Sequence, residues 1–373
     1  MTPAWAVALV AFVAFWGALY ILVRGRRGGL TVYPLLLIYR VDYARGPLTG
    51  RGRAWAARAY GVVSVALTVL ALALFYYVSL RLFVVRYVVP TPSAAQEGFV
   101  PLIPGVTIGL SELLYFLIAI GVAIVLHELS HAVVARAVGV PIRSAGFLLL
   151  AFIPAAFVEP DEEALRARPL RSKAMIYSAG VASNLVIGVA FMYLLSALVP
   201  FLASGVQIAL VEPASPAAHA GLVQGMVILA VNGHPVRTIQ QGLEELVRAG
   251  AEAPGAVNVT LTVLYSGALR NVTVFKPANY TRLGIEVVQA VRLPWLVSTA
   301  SAMYVINIGL ALVNAAPLAI PFPGFGIETD GGQLVREALS RLGGPGRSAA
   351  VAVELMTLLL LLSLMTLAPV RLP

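Results

Sequence analysis

The chain has 373 residues, of which 60% are hydrophobic and 12% are charged. Soluble domains usually contain about 25% charged residues, so this composition excludes an ordinary soluble globular protein. The net charge is +9, and the chain has no cysteine, which excludes disulfide bonds and thiolate-bound metal.

Apolar stretches long enough to cross a bilayer recur along the chain. A helix needs about 20 apolar residues to span the hydrocarbon core. The sequence predicts six such spans, and the first is too long and too apolar for a cleaved signal peptide. The spans are 3–23, 59–85, 113–138, 174–203, 293–318 and 349–369.

Basic residues cluster where the predicted helices end, a pattern that indicates membrane topology rather than a nucleic-acid partner. The clusters are Arg24, Arg26 and Arg27, then Arg51, Arg53 and Arg58, then Arg166, Arg168, Arg171 and Lys173. With these clusters inside, the segment 204–291 lies outside. The Asn-X-Ser/Thr sequons at Asn258, Asn271 and Asn279 all fall in that segment, which agrees with its location outside the cell. We therefore predict a multi-pass protein of the cell membrane with residues 204–291 extracytoplasmic.

The third predicted span contains the stretch IVLHELSHAVVARAVG, residues 124–139. On a helix, His127 and His131 face the same way and can share one ion. His-Glu-x-x-His on a helix is the signature of zinc proteases, in which two imidazoles bind Zn²⁺ and the Glu, here Glu128, transfers protons. The alternative is a chance polar patch between helices. Ionisable side chains inside a membrane segment are costly and mark function, which favours the zinc site.

Two histidines leave a tetrahedral catalytic site short of a third protein ligand. The carboxylates in or beside later spans are Glu328, Asp330 and Glu354. Asp330 is favoured because the two glycines that follow it allow close approach of the backbone. Asp330 could also be the N-cap of a helix over 331–341, and the two roles are compatible.

Residues 204–291 change character, with the alternation and turn residues typical of short strands. The run Ser215–Leu222, followed by Gly225 and the turn Val231-Asn232-Gly233, resembles PDZ domains. The resemblance implies an α+β domain that binds peptide C-termini by strand addition. If the strand order is permuted, as in protease-associated PDZ domains, the carboxylate-binding loop is Arg282-Leu283-Gly284-Ile285. Gly284 and Ile285 are then substrate-binding residues, whereas the alternative makes Gly284 merely a turn.

Taken in order, these motifs resemble those of the site-2 proteases, which are intramembrane zinc metalloproteases. The shared features are His127-Glu128-x-x-His131, Gly180-x-x-x-Asn184, a PDZ insert, and Asn314-x-x-Pro317 leading to Asp330-Gly331. The family's membrane-associated hairpin is similar to residues 147–165.

This resemblance assigns roles to individual residues. It implies zinc ligation by His127, His131 and Asp330, and catalysis by Glu128. Asn184 would position substrate or stabilise the oxyanion, and Asn314 would bind substrate. On physical grounds alone, Asn184 could equally be an interhelical hydrogen-bond donor. The implied substrates are transmembrane proteins or peptides, cut for signalling or for clearance of signal-peptide remnants.

The predicted fold is a polytopic α-helical membrane protein of about six transmembrane helices with an inserted PDZ-like domain. The predicted boundaries are 1–110 for N-terminal helices and loops, 111–203 for the first part of the catalytic core, 204–291 for the insert and 292–373 for the second part of the core. Two rival functions are a membrane-anchored PDZ scaffold with an inactive metal motif and an ion transporter. The first would call for a broken catalytic residue and the second for inverted repeats, and the sequence has neither feature.

Overall fold

The computed structural model describes residues 4–23, 28–48, 50–89, 97–151, 153–322 and 325–368. They fall into two compact units, one from Met1–Ala190 and Ala302–Arg371 and the other centred on Phe191–Ser301. The helices in chain order are α1 (Ala4–Leu22), α2 (Arg51–Phe83), α3 (Leu113–Ala137), α4 (Glu162–Arg166), α5 (Leu170–Leu202), α6 (Pro216–His219), α7 (Ile239–Arg248), α8 (Pro294–Ala315), α9 (Asp330–Leu339) and α10 (Gly344–Ser363).

Five helices among the described residues are long and apolar enough to cross a membrane: α2, α3, α5, α8 and α10. They coincide with the second to sixth predicted spans. The first predicted span lies in α1, where the stretch Phe12–Leu22 is a shorter apolar helix. A crossing by α1 therefore stays a prediction, and the chain is polytopic without it.

Small residues on one face of α2 bring three helices together. The buried residues of α2 are Ala57, Gly61, Ser64, Thr68, Ala71, Phe75 and Ser79. Successive members of this set are three or four residues apart, which keeps them on one side of a helix. A Cβ at Gly61 would lie 2.9 Å from Cε of Met175 in α5 and 3.1 Å from Cγ1 of Val134 in α3. Close backbone approach at such small residues is the usual basis of helix packing in membranes.

Twelve strands form three sheets in the described part of the chain. They are β1 (Leu30–Tyr33), β2 (Leu36–Arg45), β3 (Ile142–Leu150), β4 (Ile153–Pro160), β5 (Ala203–Val211), β6 (Val227–Val231), β7 (His234–Pro235), β8 (Val257–Tyr265), β9 (Ala268–Lys276), β10 (Ile285–Val291), β11 (Ala319–Phe322) and β12 (Phe325–Glu328).

The first unit contains an antiparallel sheet of order β1-β2-β3-β4. The hairpin predicted within 147–165 is present as β3 and β4 and is followed by α4. The side chain of Asp161 caps α4 by accepting a hydrogen bond of 2.9 Å from the N–H of Ala164. This bond, with the nearby guanidinium of Arg143, holds the pKa of Asp161 below its usual value. Strand β4 is left at the edge of the sheet.

The second unit contains a sheet of order β10-β5-β6-β8-β9, with β7 paired to β6. Helix α7 packs against β5, β6 and β10 and begins with a capping box formed by Thr238 and Gln241. The fully buried Lys276 donates hydrogen bonds of 2.9 to 3.0 Å to the carbonyls of Ala253, Gly255 and Tyr280. A buried ammonium paired in this way fixes the loop that precedes β10.

The Pro- and Gly-rich stretch between Asn314 and Asp330 contains the short hairpin β11–β12. It ends in α9, whose N-cap is Thr329. The hydroxyl of Thr329 accepts a hydrogen bond of 3.2 Å from the N–H of Gly332. The alternative role of Asp330 as the N-cap is therefore excluded. Because Thr329 fills that role, the carboxylate of Asp330 is not needed to cap α9.

Candidate active site

Helix α3 carries His127 and His131 one turn apart, and their Nε2 atoms lie 3.1 Å from each other. Asp330, the first residue of α9, lies opposite them. Its Oδ2 is 3.2 Å from Nε2 of His127, and its Oδ1 is 3.4 Å from Nε2 of His131. One potential ligand atom from each of the three residues lies within 4.8 Å of the other two. The structure thus brings together the three residues predicted to hold zinc.

Two glycines allow α9 to bring Asp330 this close to the histidines. A Cβ at Gly331 would lie 2.0 Å from the carbonyl oxygen of Ala315, at the end of α8. A Cβ at Gly332 would lie 2.9 Å from the carbonyl oxygen of Leu318. The close backbone approach predicted from the Asp-Gly-Gly sequence is therefore present between the start of α9 and the segment that follows α8.

The separations among the three side chains suit a tetrahedral zinc ion. With zinc bonds of about 2.0 to 2.1 Å, neighbouring ligand atoms lie about 3.3 Å apart. The two Nε2 atoms are 3.1 Å apart, and each lies near a different oxygen of Asp330, at 3.2 Å for His127 and 3.4 Å for His131. Oδ2 of Asp330 is buried and makes no hydrogen bond of good geometry within the described part of the chain. Nδ1 of His131 lies 2.6 Å from the carbonyl oxygen of Ile176. Because a carbonyl can only accept, Nδ1 carries the proton, and Nε2 keeps its lone pair for a metal.

Helix α5 closes the site with a glycine. A Cβ at Gly180 would lie 2.4 Å from Nε2 of His131 and 2.5 Å from Nε2 of His127. A zinc ion held by the two histidines would also lie close to both of these atoms, and the missing side chain leaves space for it. One turn later, Nδ2 of Asn184 lies 3.1 Å from Nδ1 of His127.

We expect Gly180→Ala to lower zinc affinity by about ten- to a hundredfold, the cost typical of disturbing the surroundings of metal ligands. The added methyl group would compete with both imidazoles for the space between α5 and α3. Zinc affinity is measured by competition with a chromogenic chelator. Gly121→Ala on α3 is the matched control, because a Cβ there meets nothing within 4 Å. Equal zinc affinity of the two variants would contradict this account of Gly180.

Glu128 follows the first histidine but points to a different partner. Its Oε2 accepts a hydrogen bond of 3.0 Å from the backbone N–H of Val158 in β4. The edge strand of the hairpin therefore lies directly against the predicted catalytic carboxylate. The sequence did not predict this contact, because a backbone donor leaves no trace in residue identity.

One cavity of about 510 Å³ joins these groups. Asn184 from α5 and Asn314 from α8 line it beside His127, Glu128 and His131. Tyr177 and Gln333, which sequence reasoning missed, also line it. Neither belongs to a recognisable motif, so no local signal marked them.

Glu328 and Glu354, the two other candidates for the third metal ligand, pair with Arg336 instead. Glu354 in α10 is buried and accepts hydrogen bonds of 2.5 and 2.6 Å from the guanidinium of Arg336. Glu328 lies 3.0 Å from the same guanidinium. Burial raises the pKa of Glu328, although the positive charge of Arg336 acts to lower it. Of the three carboxylates considered, only Asp330 faces both histidines.

The remaining predicted residues, Gly284 and Ile285, belong to the second unit. Gly284 has φ +82°, and a Cβ there would lie 2.3 Å from Cβ of Ser215. Its carbonyl accepts a hydrogen bond of 2.9 Å from the N–H of Glu212. Ile285 is the first residue of β10, which pairs with β5. The loop therefore leads into an edge strand of the sheet.

Comparison with known proteins gives a match to the model of peptidase family M50 over residues 115–364. An uncharacterized protein of Methanocaldococcus jannaschii is 28% identical over 243 residues, or 65% of this chain and 60% of that protein. A membrane-bound transcription factor site-2 protease homolog of Arabidopsis thaliana is 28% identical over 146 residues, or 38% of this chain and 28% of that protein. The chain thus spans about 60% of the length of the first relative and 28% of the second.

Proposed function

The chain belongs to peptidase family M50, the site-2 protease family, and we propose that it is a zinc metalloendopeptidase that cuts membrane proteins within or near their transmembrane segments. The resemblance predicted from the motifs is confirmed by this membership. The observation that carries the proposal is the meeting of His127, His131 and Asp330 at separations that suit tetrahedral zinc. Three such groups beside a membrane-spanning helix are costly unless they serve a function.

The chain's own residues divide the proposed reaction between them. His127, His131 and Asp330 would hold zinc, which when bound polarises a peptide carbonyl and lowers the pKa of water to about 7. Glu128 accepts the proton of the attacking water and then donates it to the leaving amine. The N–H of Val158 holds Oε2 of Glu128, so Oε1 is the oxygen that would take part in proton transfer. Asn314, on the wall of the same cavity, binds the substrate backbone.

A transmembrane helix cannot be cut as it stands, because each of its carbonyls is hydrogen-bonded to an amide four residues on. The substrate must first unwind. Within the described residues, β4 pairs with β3 alone, so the backbone groups on its outer edge face no other strand, and of these the N–H of Val158 is bound to Glu128. Those groups lie beside Glu128 and can pair with an extended substrate segment. Substrates with helix-weakening residues should therefore be cut preferentially.

The function is tested by incubating the purified protein in proteoliposomes with a panel of transmembrane peptides. Half of the panel carries a Gly-Pro pair in the middle of the span, and the matched half carries Ala-Leu. We expect cleavage within the apolar segment, faster for the weakened helices, lost with a zinc chelator and restored by added zinc. Cleavage that continues after zinc removal would refute the metal mechanism. Zinc binding without any turnover would favour the scaffold instead.

We also propose that residues 204–291 form a PDZ-like extracytoplasmic domain that binds peptide C-termini. The sheet order supports this proposal, because β10 is an edge strand that follows the Gly284 loop and packs beside α7. Leu243 and Val247 on α7, and Val288 on β10, are apolar side chains that remain exposed. An extended peptide added to β10 would cover part of this apolar surface.

We expect Leu243→Glu to weaken the binding of peptides with free apolar C-termini by about tenfold or more, equivalent to about 1.4 kcal/mol. Leu243 is 46% exposed, so the change adds charge beside β10 without emptying the core. Fluorescence anisotropy of labelled peptides measures the effect, with amidated peptides as the test for carboxylate recognition. The control is Leu269→Glu, on β9 at the opposite edge of the sheet. If both variants bind as tightly as the unchanged protein, the groove lies elsewhere.

Substitution at Gly284 itself is a poor probe of this loop. Its left-handed backbone and the nearby Ser215 exclude any larger residue, whether or not the loop binds a peptide. A β-branched residue there is expected to unfold the loop, so loss of binding would not distinguish a direct role from a structural one.

A further inference from the structure

We propose that Asn184 is a positioning residue for the metal ligand His127, rather than a group that contacts substrate. The inference rests on the proposed function, since it concerns how the site holds zinc. Asn184 is fully buried in α5, and its Nδ2 lies 3.1 Å from Nδ1 of His127. Oδ1 of Asn184 is buried and has no hydrogen-bond partner among the residues that the structure describes.

If His127 is a metal ligand, its protonation decides whether the nitrogen or the oxygen of the Asn184 amide must face it. To bind a metal through Nε2, a neutral imidazole carries its proton on Nδ1. Nδ1–H is then a donor and requires an acceptor, which the NH₂ of Asn184 cannot be. A half-turn of the amide exchanges its nitrogen and oxygen at nearly the same positions. Because Oδ1 has no partner in its present place, no hydrogen bond of that atom opposes the half-turn.

In the orientation that we infer, Oδ1 of Asn184 accepts the Nδ1–H of His127. His131 already has the equivalent arrangement, since its Nδ1–H donates to the carbonyl of Ile176. Both oxygens come from α5, so one helix would set the proton position and the ring orientation of both ligands. Such partners raise the basicity of ligand imidazoles and typically contribute ten- to a hundredfold to metal affinity. Gly180, one turn before Asn184, lets α5 come this close.

The two roles of Asn184 predict different zinc affinities. A positioning residue needs only an oxygen acceptor, so Asn184→Ala should weaken zinc binding about ten- to a hundredfold, and Asn184→Asp should restore it. A residue that stabilises the oxyanion needs the N–H donor. In that case Asn184→Ala would keep its zinc affinity, and Asn184→Asp would lose turnover at saturating zinc.

The experiment measures zinc affinity by chelator competition on the full-length protein in detergent, without substrate. The variants are Asn184→Ala and Asn184→Asp, and the matched control is Asn307→Ala. Asn307 is also fully buried in a membrane helix with an unpaired Oδ1, but it donates to Met303 in its own helix. We expect weaker zinc binding only for Asn184→Ala, with thermal melts that confirm folding of all three variants.

Two results would overturn the inference: unchanged zinc affinity of Asn184→Ala, or zinc binding by Asn184→Asp that is as weak as that of the alanine variant. Failure of the proposed function looks different, because the unchanged protein would then bind zinc without cutting any peptide, or would bind none. Zinc binding and peptide cleavage by the unchanged protein are therefore measured before any variant is compared.

Discussion

Replacing Glu128 with glutamine is expected to abolish peptide hydrolysis and to leave zinc in place. The amide has nearly the same size as the carboxylate and can still face Val158, but it cannot accept a proton from water. His127, His131 and Asp330 are unchanged, so the metal site should remain. Positioned acid–base groups contribute about 10²- to 10⁴-fold to rate, and we expect a loss toward the upper end because in the proposed mechanism one residue would serve both proton transfers.

Zinc content and turnover are measured on the same preparation, with metal quantified by mass spectrometry and cleavage of a transmembrane peptide followed over time. Glu112→Gln provides the control, because Glu112 precedes the same helix α3 at its other end and does not line the cavity. It should retain both zinc and activity. A Glu128→Gln protein that loses its zinc would mean that Glu128 supports the metal rather than the proton transfer.

That the three residues proposed to bind zinc lie together could be predicted from sequence because their geometry is mostly local. The turn of an α-helix fixes how His127 and His131 face each other, and nothing else in the fold has to be known. The choice of Asp330 required one further inference, that the glycines beside it allow two backbone segments to lie close together. In the structure, the backbone at Gly331 lies this close to Ala315. The membrane helices were predictable for a similar reason, since length and apolarity suffice.

The features that sequence reasoning missed depend on distant partners. Strand β2 pairs with β3 although helices α2 and α3 lie between them in the chain, and Tyr39 is opposite Phe147. The sequence of β2 itself alternates too weakly between apolar and polar residues to indicate a strand. The hydrogen bond from Val158 to Glu128 involves a backbone group. The capping role was considered for Asp330 because aspartate is a preferred cap, yet the neighbouring Thr329, also a favoured capping residue, takes it. Choosing between such neighbours requires knowing which of the two side chains is in contact with another helix, as Asp330 is with α3.

Replacing Asp330 with alanine is expected to remove zinc and with it all cleavage. The variant keeps two imidazoles, but a catalytic zinc site usually has three protein ligands. Loss of a direct ligand should cost more than the roughly hundredfold upper limit for an outer partner. The alanine variant should therefore resemble His127→Ala in zinc affinity. Thr329 still caps α9, so the helix should keep its start, and a thermal melt can confirm folding.

The same measurement on Glu328→Ala and Glu354→Ala separates the three carboxylates. Both of these glutamates face Arg336, at 3.0 Å for Glu328 and at 2.5 and 2.6 Å for Glu354. Removing Glu354 takes away the buried partner of a guanidinium, so that variant should melt at a lower temperature. Its zinc affinity should nevertheless match the unchanged protein. If instead Glu354→Ala or Glu328→Ala lost zinc while Asp330→Ala kept it, Arg336 would have to release its partner on metal binding, and α9 would have to turn Asp330 away from both histidines.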